Sequence, residues 1–441
     1  MKILIANRSA IARRIVRAVR EMGHESVVVY SEADALSPYL AEADHACALV
    51  GNTALETYLN QDALLQAARD SGADAVHPGY GFLAENADFA TGVIEAGMRF
   101  IGPAPEWLAR MGDKVAARQL MAGLNFPVFA GSELLADATA AARAAQDIGY
   151  PVLLKPSGGG GGMGMEIVHD ADALADAFAR SQAVARAAFD DPRMYLEQWI
   201  DRPRHIEYQI LADGKGRAMH LYERDCSIQR RNQKLIEESP APGIAPAYLE
   251  EQARLAAAAC ARLGYDNVGT LETLYTRDGE SGFLEMNTRI QVEHGVTELV
   301  TGVDLVQAQI ALSEGQALPA PAERQGYAIE VRLYAEDSHT LLPSTGRLAV
   351  FRPPQLTGVR IETGYQEGQS VTPFYDPLLA KILAHGTTRE MAIGRVLVAL
   401  KAFEVSGVQT NAQLLMRVLK DPTFLAGQVD TGLLARILEP R

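Results

Sequence analysis

The chain has 441 residues, enough for two or three domains of about 100–200 residues each. It is 48% hydrophobic and 22% charged, as soluble globular proteins are. Its net charge of −14 excludes a general binder of nucleic acid or anionic membrane, while local basic pockets remain open to it. Cys47, Cys226 and Cys260 are odd in number and far apart, without metal-ligand spacing, so a reduced compartment is expected. The opening "MKILIANR" is broken by Asn7 and Arg8 and reads as a first strand, not as a signal peptide. No apolar run reaches about 18 residues. A cytoplasmic protein without membrane or nucleic-acid partners is the expectation.

In chain order, "KILIA" (2–6), "SAIARRIVRAVREMG" (9–23) and "ESVVVY" (25–30) read as strand, helix and strand, with Ser9 placed to cap the helix and Gly23 to end it. The alternation continues through "TYLNQDALLQAARDSG", "ADAVHPGYG", "FATGVIEAG" and "MRFIGP". This predicts a doubly wound α/β domain over residues 1–113. No G-x-G-x-x-G follows the first strand, so a nicotinamide cofactor gains no support.

A second unit, over residues 114–203, carries "YPVLLKPSGGGGGMGMEIVHD", an Ala-rich helix (171–188) and the strand "RMYLEQWI". A glycine run can be a flexible linker. Here it lies between two strand-like segments, which makes it a hairpin tip. Such a tip offers free backbone N–H groups to phosphate oxygens, with Lys155 close by as a point charge. No Gly-Lys-Ser/Thr follows, so it is not a Walker loop. A glycine lid over nucleotide phosphates is the sharper reading.

Residues 204–441 begin with a hairpin, "RHIEYQILADGKGRAMHLYERDCSI", and end in short strands with two C-terminal helices; this part reads as α+β. Between them stands "GTLETLYTRDGESGFLEMNTRIQVEHGV". Asp278-Gly279 marks a hairpin turn. A two-residue loop there pairs Glu272 with Glu285; a four-residue loop pairs Glu272 with Asn287. Either register puts Glu272, Glu285 and Asn287 on one face, a hard-oxygen set suited to Mg²⁺ bridging nucleotide phosphates. The alternative is the polar outer face of an edge hairpin, in which opposed carboxylates repel. Beyond them Arg289, Gln291 and Glu293 keep the same period of two. An exposed strand has that pattern too. As a site, it offers a guanidinium clamp for a small planar anion and a carboxylate to take its proton.

The segments "ILIANR", "HPGYGFLAENADFA", "FIGP", "MGDK", "GYPVLLKPSGGGGGMGM", "ERDCSIQRRNQK", "FLEMNTRIQVEH", "VTELVTGVDLV", "RLYAED" and "FYDPLLAKI" together resemble the biotin carboxylases, ATP-grasp enzymes, from residue 2 to about 430. The resemblance implies an ATP-grasp fold with an N-terminal doubly wound domain, a glycine-rich lid domain and a C-terminal domain. It implies carboxylation of biotin by ATP and bicarbonate through carboxyphosphate, with two Mg²⁺ ions, for which Mn²⁺ can substitute. By position, Lys114 and Lys155 would touch ATP phosphates beneath Gly160, Gly161, Gly162, Met163 and Gly164. Glu197, Gln198 and Ile200 would face the adenine and His205 the ribose side, with Gln229, Asn232 and Leu274 completing the nucleotide site. Glu272, Glu285 and Asn287 would hold the metal. Arg289, Gln291 and Val292 would hold bicarbonate, with Tyr80 and Gln233 also on the substrate side. Glu293 would be the base, Lys234 would steady the phosphorylated intermediate, and Arg332 would stabilise the biotin enolate. Without the resemblance, Arg332 reads as a surface strand residue, Cys226 as a small buried one, His77 as a turn former and His294 as a backbone-orienting group.

The chain departs from the familiar pattern at several points. "ANRSAIA" stands for "ANRGEIA", Met163 for Arg, Gln198 for Lys, Asn232 for His, Gly295 for Pro, and "RLYAED" for "RINAED". "RRNQK", "EHGVTE", "RLYAED" and the apolar residue after the glycines are similar to the biotin carboxylase part of urea carboxylases, which turns the final acceptor from acyl-CoA towards urea or an amide. The only Met-Lys pair is at residues 1–2, so no biotinyl lysine is expected here. The expected partners are a separate biotin carboxyl carrier protein, a carboxyltransferase and a second copy of the chain. The rivals are an ATP-grasp ligase that uses no biotin and a disabled partner-binding subunit.

Overall fold

The computed structural model describes residues 1–158, 162–321, 323–337 and 340–439. Five strands, β1 (Lys2–Ile5), β2 (Glu25–Tyr30), β3 (His45–Ala48), β4 (Ala75–His77) and β5 (Arg99–Phe100), form a parallel sheet in the order β3-β2-β1-β4-β5. Ile3 and Ile5 pack into one apolar cluster and Leu4 into the other, so both faces of the sheet are covered. The helix Ser9–Glu21 ends as expected, with Gly23 at φ 73° donating to the Arg20 carbonyl. Its start differs. Arg8 is the N-cap residue and Ser9 makes no capping bond; Ser9 instead stands at φ 57° against the Gly364 backbone. The Arg8 side chain is drawn away to Asp34, at 2.7 and 2.6 Å. The helix expected within "TYLNQDALLQAARDSG" begins at Gln61, where the Asn60 side chain caps Ala63 N–H.

A three-stranded sheet, β7-β6-β8, follows, made of β6 (Val152–Pro156), β7 (Glu166–Val168) and β8 (Met194–Gln198). The helices Ala138–Ile148 and Ala171–Phe189 cover it. β6 and β7 pair antiparallel, so the glycine run joins two arms of a hairpin, as expected. Its Gly159–Gly161, among them the expected phosphate contacts Gly160 and Gly161, lie outside the described residues.

The remaining strands are β9 (Arg204–Asp213), β10 (Ala218–Arg230), β11 (Gln233–Ser239), β12 (Asp266–Tyr275), β13 (Ser281–Asn287), β14 (Tyr327–Tyr334), β15 (Gly346–Arg347), β16 (Val350–Arg352), β17 (Val359–Glu362), β18 (Ser370–Val371), β19 (Leu378–Gly386) and β20 (Glu404–Ser406). Eight of them form one antiparallel sheet, β13-β12-β9-β10-β11-β14-β19-β17; β15 with β18 and β16 with β20 make two small ribbons. Four helices, not two, lie among the described C-terminal residues: Arg389–Ala402, Ala412–Leu419, Pro422–Leu425 and Leu433–Leu438. The last two have 4 and 6 residues, too few for an apolar periodicity to register in sequence. Among the described residues no helix is long and apolar enough to cross a membrane, and all three cysteines are free thiols.

Candidate active site

In an open parallel sheet, ligands bind outside the carboxyl ends of the strands where the strand order reverses. Here that point lies between β1 and β4. Asn7 bridges the two strand ends, its amide donating to the Pro78 and Tyr80 carbonyls at 2.8 Å each. Asn7, Arg8, Ser9, Tyr80 and Phe82 line one end of a cavity of about 1040 Å³. β6 and β8 wall the other end, and β9 to β14 supply its floor.

The hairpin β12–β13 places Glu272 opposite Glu285, the register of a two-residue loop, but by another route. Tyr275 pairs with Ser281, and Thr276 N–H bonds to the Glu280 carbonyl, so the loop is longer. A bulge between Glu272 and Thr273 then shifts the register and restores the pair. The expected continuation of the strand does not occur. β13 stops at Asn287, and residues 288–293 form an irregular turn into the helix His294–Thr301.

Distant groups hold this turn in shape. Glu85 accepts from Thr288 N–H at 3.0 Å and from Arg289 Nε at 2.8 Å. His294 Nδ1 contacts the Gln291 carbonyl at 2.7 Å, and Lys381 Nζ donates to the Val292 carbonyl at 2.6 Å. Arg289 then donates to Asn287 Oδ1 at 2.8 Å and Gln291 Oε1 at 2.9 Å, and Gln291 Nε2 donates to Glu272 at 3.0 Å. The polar residues therefore converge by tethering, without strand alternation.

Lys234, on β11, is the hub. Its Nζ lies 2.6 Å from Glu207, 2.7 Å from Glu272 and 2.7 Å from Glu293. Burial works against the ammonium, but the three carboxylates override it and raise its pKa well above the usual lysine value. In return, against burial, Lys234 and Arg332 hold Glu293 well below the ordinary carboxylate range, and Lys234 with His205 does the same for Glu272. Arg332 is buried, not a surface residue: its Nη2 lies 2.9 Å from Glu293 and its Nε donates to Glu237 at 2.6 Å. Cys226 is buried, its thiol pKa pushed up by desolvation, with Sγ 3.9 Å from Glu293. His77 Nδ1 accepts from Gly79 N–H at 3.0 Å, which is its turn-forming role.

On the lid side, Lys155 pairs with Glu197 at 2.7 Å, and Lys114 pairs with Glu285. His205 Nε2 stands 3.0 Å from Glu272. Gln198, Ile200, Gln229, Gln233 and Leu274 also line the cavity. Arg231 and Asn232 form the two-residue turn between β10 and β11, both at positive φ, a conformation that Asn tolerates better than most residues. Gly162 lies so close to Asn232 that a side chain at 162 would overlap its amide, so the lid hairpin sits down on this turn. Two expected nucleotide contacts are not brought to the cavity. The Met163 side chain is 54% exposed, and Gly164 packs against Pro156 and the Ser181 carbonyl. At Gly164 the chain faces the helix Ala171–Phe189 and at Met165 it returns to the cavity, which the residue pattern alone cannot show.

Sequence reasoning missed Glu207, Glu237 and Glu85. Glu207 had a signal: His205, Glu207 and Gln209 alternate along β9 as the polar residues of β13 do. Glu85 and Glu237 had none, since each is defined by a partner on a remote element.

Glu272, Glu285 and Asn287 offer oxygen donors only, which fits a hard divalent cation. Lys234 and Lys114 pair with the two opposed carboxylates and Arg289 donates to Asn287 Oδ1, so three cationic side chains stand where a divalent cation would bind these oxygens.

Three family models match the chain: biotin carboxylase, N-terminal domain, over residues 1–108; carbamoyl-phosphate synthase L chain, ATP binding domain, over 113–321; and biotin carboxylase C-terminal domain over 330–436. A biotin carboxylase of Halalkalibacterium halodurans is 46% identical over 442 residues, covering 99% of this chain and 98% of that protein. The biotin carboxylase–beta-gamma-ATP complex of Campylobacter jejuni has a TM-score of 0.96 at 41% identity, with 99% and 98% of the chains covered. The biotin carboxylase domain dimer of Hydrogenobacter thermophilus 2-oxoglutarate carboxylase, in complex with MgADP, ADP and bicarbonate, has a TM-score of 0.95 at 40% identity, covering 100% and 99%.

Proposed function

The chain belongs to the biotin carboxylase family, and we propose that it carboxylates biotin on a separate carrier protein with ATP and bicarbonate, as one subunit of a biotin-dependent carboxylase. One observation carries the reading: Lys234 links Glu272, in the metal set, to Glu293, beside Arg332, in a single cavity.

Bicarbonate sits against Arg289, Gln291 and Val292, with Tyr80 and Gln233 flanking it, and gives its proton to the ionised Glu293. Its oxygen attacks the γ-phosphorus of ATP, the bond to ADP breaks, and carboxyphosphate forms. Lys114 and Lys155 cradle the phosphates, with Gly162 of the lid beside them, while Glu197, Gln198, Ile200, His205, Gln229, Asn232 and Leu274 hold the nucleoside. Glu272, Glu285 and Asn287 would hold Mg²⁺, which when bound neutralises charge on the phosphates. Lys234 can turn from its carboxylates to the transferred phosphate, and losing that cation makes Glu293 a stronger base. Carboxyphosphate divides into CO₂ and phosphate; the phosphate takes the N1 proton of biotin, and the enolate, held by Arg332, adds to CO₂. The lid excludes water, which would hydrolyse carboxyphosphate.

Residues 1–113, 114–203 and 204–441 are the N-terminal domain, the linker with lid, and the core with C-terminal domain. The partners in this reading are a carrier protein, a carboxyltransferase and a second copy of the chain, in the cytoplasm. The acceptor is of acyl-CoA or urea/amide type. Two of the urea-like motifs have local causes: Asn232 suits its turn, and at Gly295 a side chain would strike Arg360 and Leu383. The acceptor is therefore better sought in the transferase.

The test is ATP hydrolysis with Mg²⁺ and bicarbonate, with and without free biotin. Hydrolysis that needs bicarbonate and rises with biotin is expected. Bicarbonate-dependent hydrolysis indifferent to both biotin and a biotinylated carrier fits a biotin-independent ligase. No hydrolysis at all fits a disabled subunit.

A further inference from the structure

Beneath the base, on the side away from the cavity, lies a row of buried charges that the half-reaction does not use. Glu237 on β11 and Glu330 on β14 are directly paired across the strands, and both are fully buried. Opposed carboxylates without solvent repel. Among the described residues, both oxygens of Glu330 and Oε2 of Glu237 have no hydrogen-bond partner. Arg332 reaches Glu237 Oε1 from both Nε, at 2.6 Å, and Nη2, at 2.5 Å, while Glu330 has, among the described residues, only Lys381 at 3.8 Å. Glu237 does not line the cavity, whereas Arg332 does. The guanidinium is thus gripped from behind by Glu237 through both Nε and Nη2, while Nη2 also reaches Glu293 at 2.9 Å. Asn411 fixes the same residue by its backbone, donating to the Arg332 carbonyl at 3.0 Å.

We propose that Glu237 is a positioning residue for the carboxylation step, holding Arg332 from behind so that its free edge faces the biotin enolate. The inference rests on the half-reaction proposed above. An arginine without that grip has rotamer freedom and can turn both its donors to Glu293, which Nη2 already touches at 2.9 Å; bound there by both, it serves the base and not the enolate. The groups facing Glu237 are Arg332, Glu330 and Tyr334 on β14, Lys234 on its own strand, Cys226 on β10, Lys381 on β19 and Glu293. Burial pushes the Glu237 carboxyl up to about 7, against the pull of Arg332. Burial pushes the Glu330 carboxyl well above the ordinary carboxylate range, against the pull of Lys381. As pH falls through that range Glu237 is protonated and its grip on Arg332 weakens.

The experiment is steady-state kinetics of Glu237→Gln against free biotin and against bicarbonate, from about pH 6 to 8.5, with Glu330→Gln as control. In the wild type, KM for biotin should rise on acidification through about 7. In Glu237→Gln it should be raised about tenfold and flat with pH, while bicarbonate-dependent ATP hydrolysis without biotin stays within about threefold. Glu330→Gln, which leaves both carboxylate partners of Arg332 in place, should leave KM for biotin at about pH 8.5 unchanged. If Glu237→Gln does not fold, Glu237→Asp, whose carboxylate is withdrawn from Arg332, should show the raised KM. A merely structural residue would lower stability and leave the KM profile like wild type, and that outcome overturns the proposal. A wild type that ignores biotin overturns the half-reaction itself, and this inference with it.

Discussion

The ammonium of Lys234 stands 2.7 Å from Oε1 of Glu293, and the same nitrogen binds Glu207 and Glu272. One cation therefore neutralises the base, a metal ligand and a buried carboxylate behind them. Lys234→Met leaves these acids without their shared partner, which should cost about 3–5 kcal/mol. Glu272 and Glu293 then lose the cation that keeps their pKa low and gain stability by binding protons as pH falls. Urea denaturation should show a large deficit at about pH 8 that shrinks towards about pH 5. A deficit independent of pH would count against the hub.

Glu293→Gln keeps the shape of the base and its contact with Arg332 but cannot take a proton. Bicarbonate-dependent ADP release should fall by about 10²–10⁴-fold, with KM for ATP little changed. Full activity would remove Glu293 from the chemistry.

Glu285 faces Glu272 across the hairpin and pairs with Lys114. Glu285→Gln should raise the Mg²⁺ concentration for half-maximal rate by about tenfold or more, while leaving KM for bicarbonate near wild type. A magnesium titration at saturating ATP reads this directly.

Burial alone would raise the pKa of Glu298, but His294, Arg14 and Arg360 hold it at about 2 against an ordinary 4.5. A depressed carboxyl stabilises the fold above its unfolded pKa and loses that contribution as pH drops through the folded value. Glu298 therefore supplies up to about 3 kcal/mol that disappears between the two values. Glu298→Gln should be less stable at neutral pH and show a shallower fall in urea midpoint from about pH 5 to 3.

Ser9 holds φ 57° against Gly364, where a non-glycine residue is strained. Ser9→Gly should stabilise by about 0.5–1 kcal/mol, the relief of left-handed strain less the added freedom of the unfolded chain. Gly364→Ala should destabilise, because its methyl would meet the Ser9 backbone. Thermal denaturation of the two variants should give shifts of opposite sign.

The sequence by itself determined what is periodic and local. The doubly wound alternation and the glycine hairpin follow from side-chain period and turn residues, whereas the turn left two registers open for Glu272 and a bulge decided for Glu285. Only the tertiary structure decided where residues 288–293 go, because the groups that shape them are remote. Glu85 grips Arg289 from 204 residues away, and Lys381 grips Val292 from 89. The burial of Arg332 and the three partners of Lys234 were hidden for the same reason. A strand's alternation shows which side chains share a face, but the counter-charge that makes burying them tolerable is supplied by whichever distant element packs there.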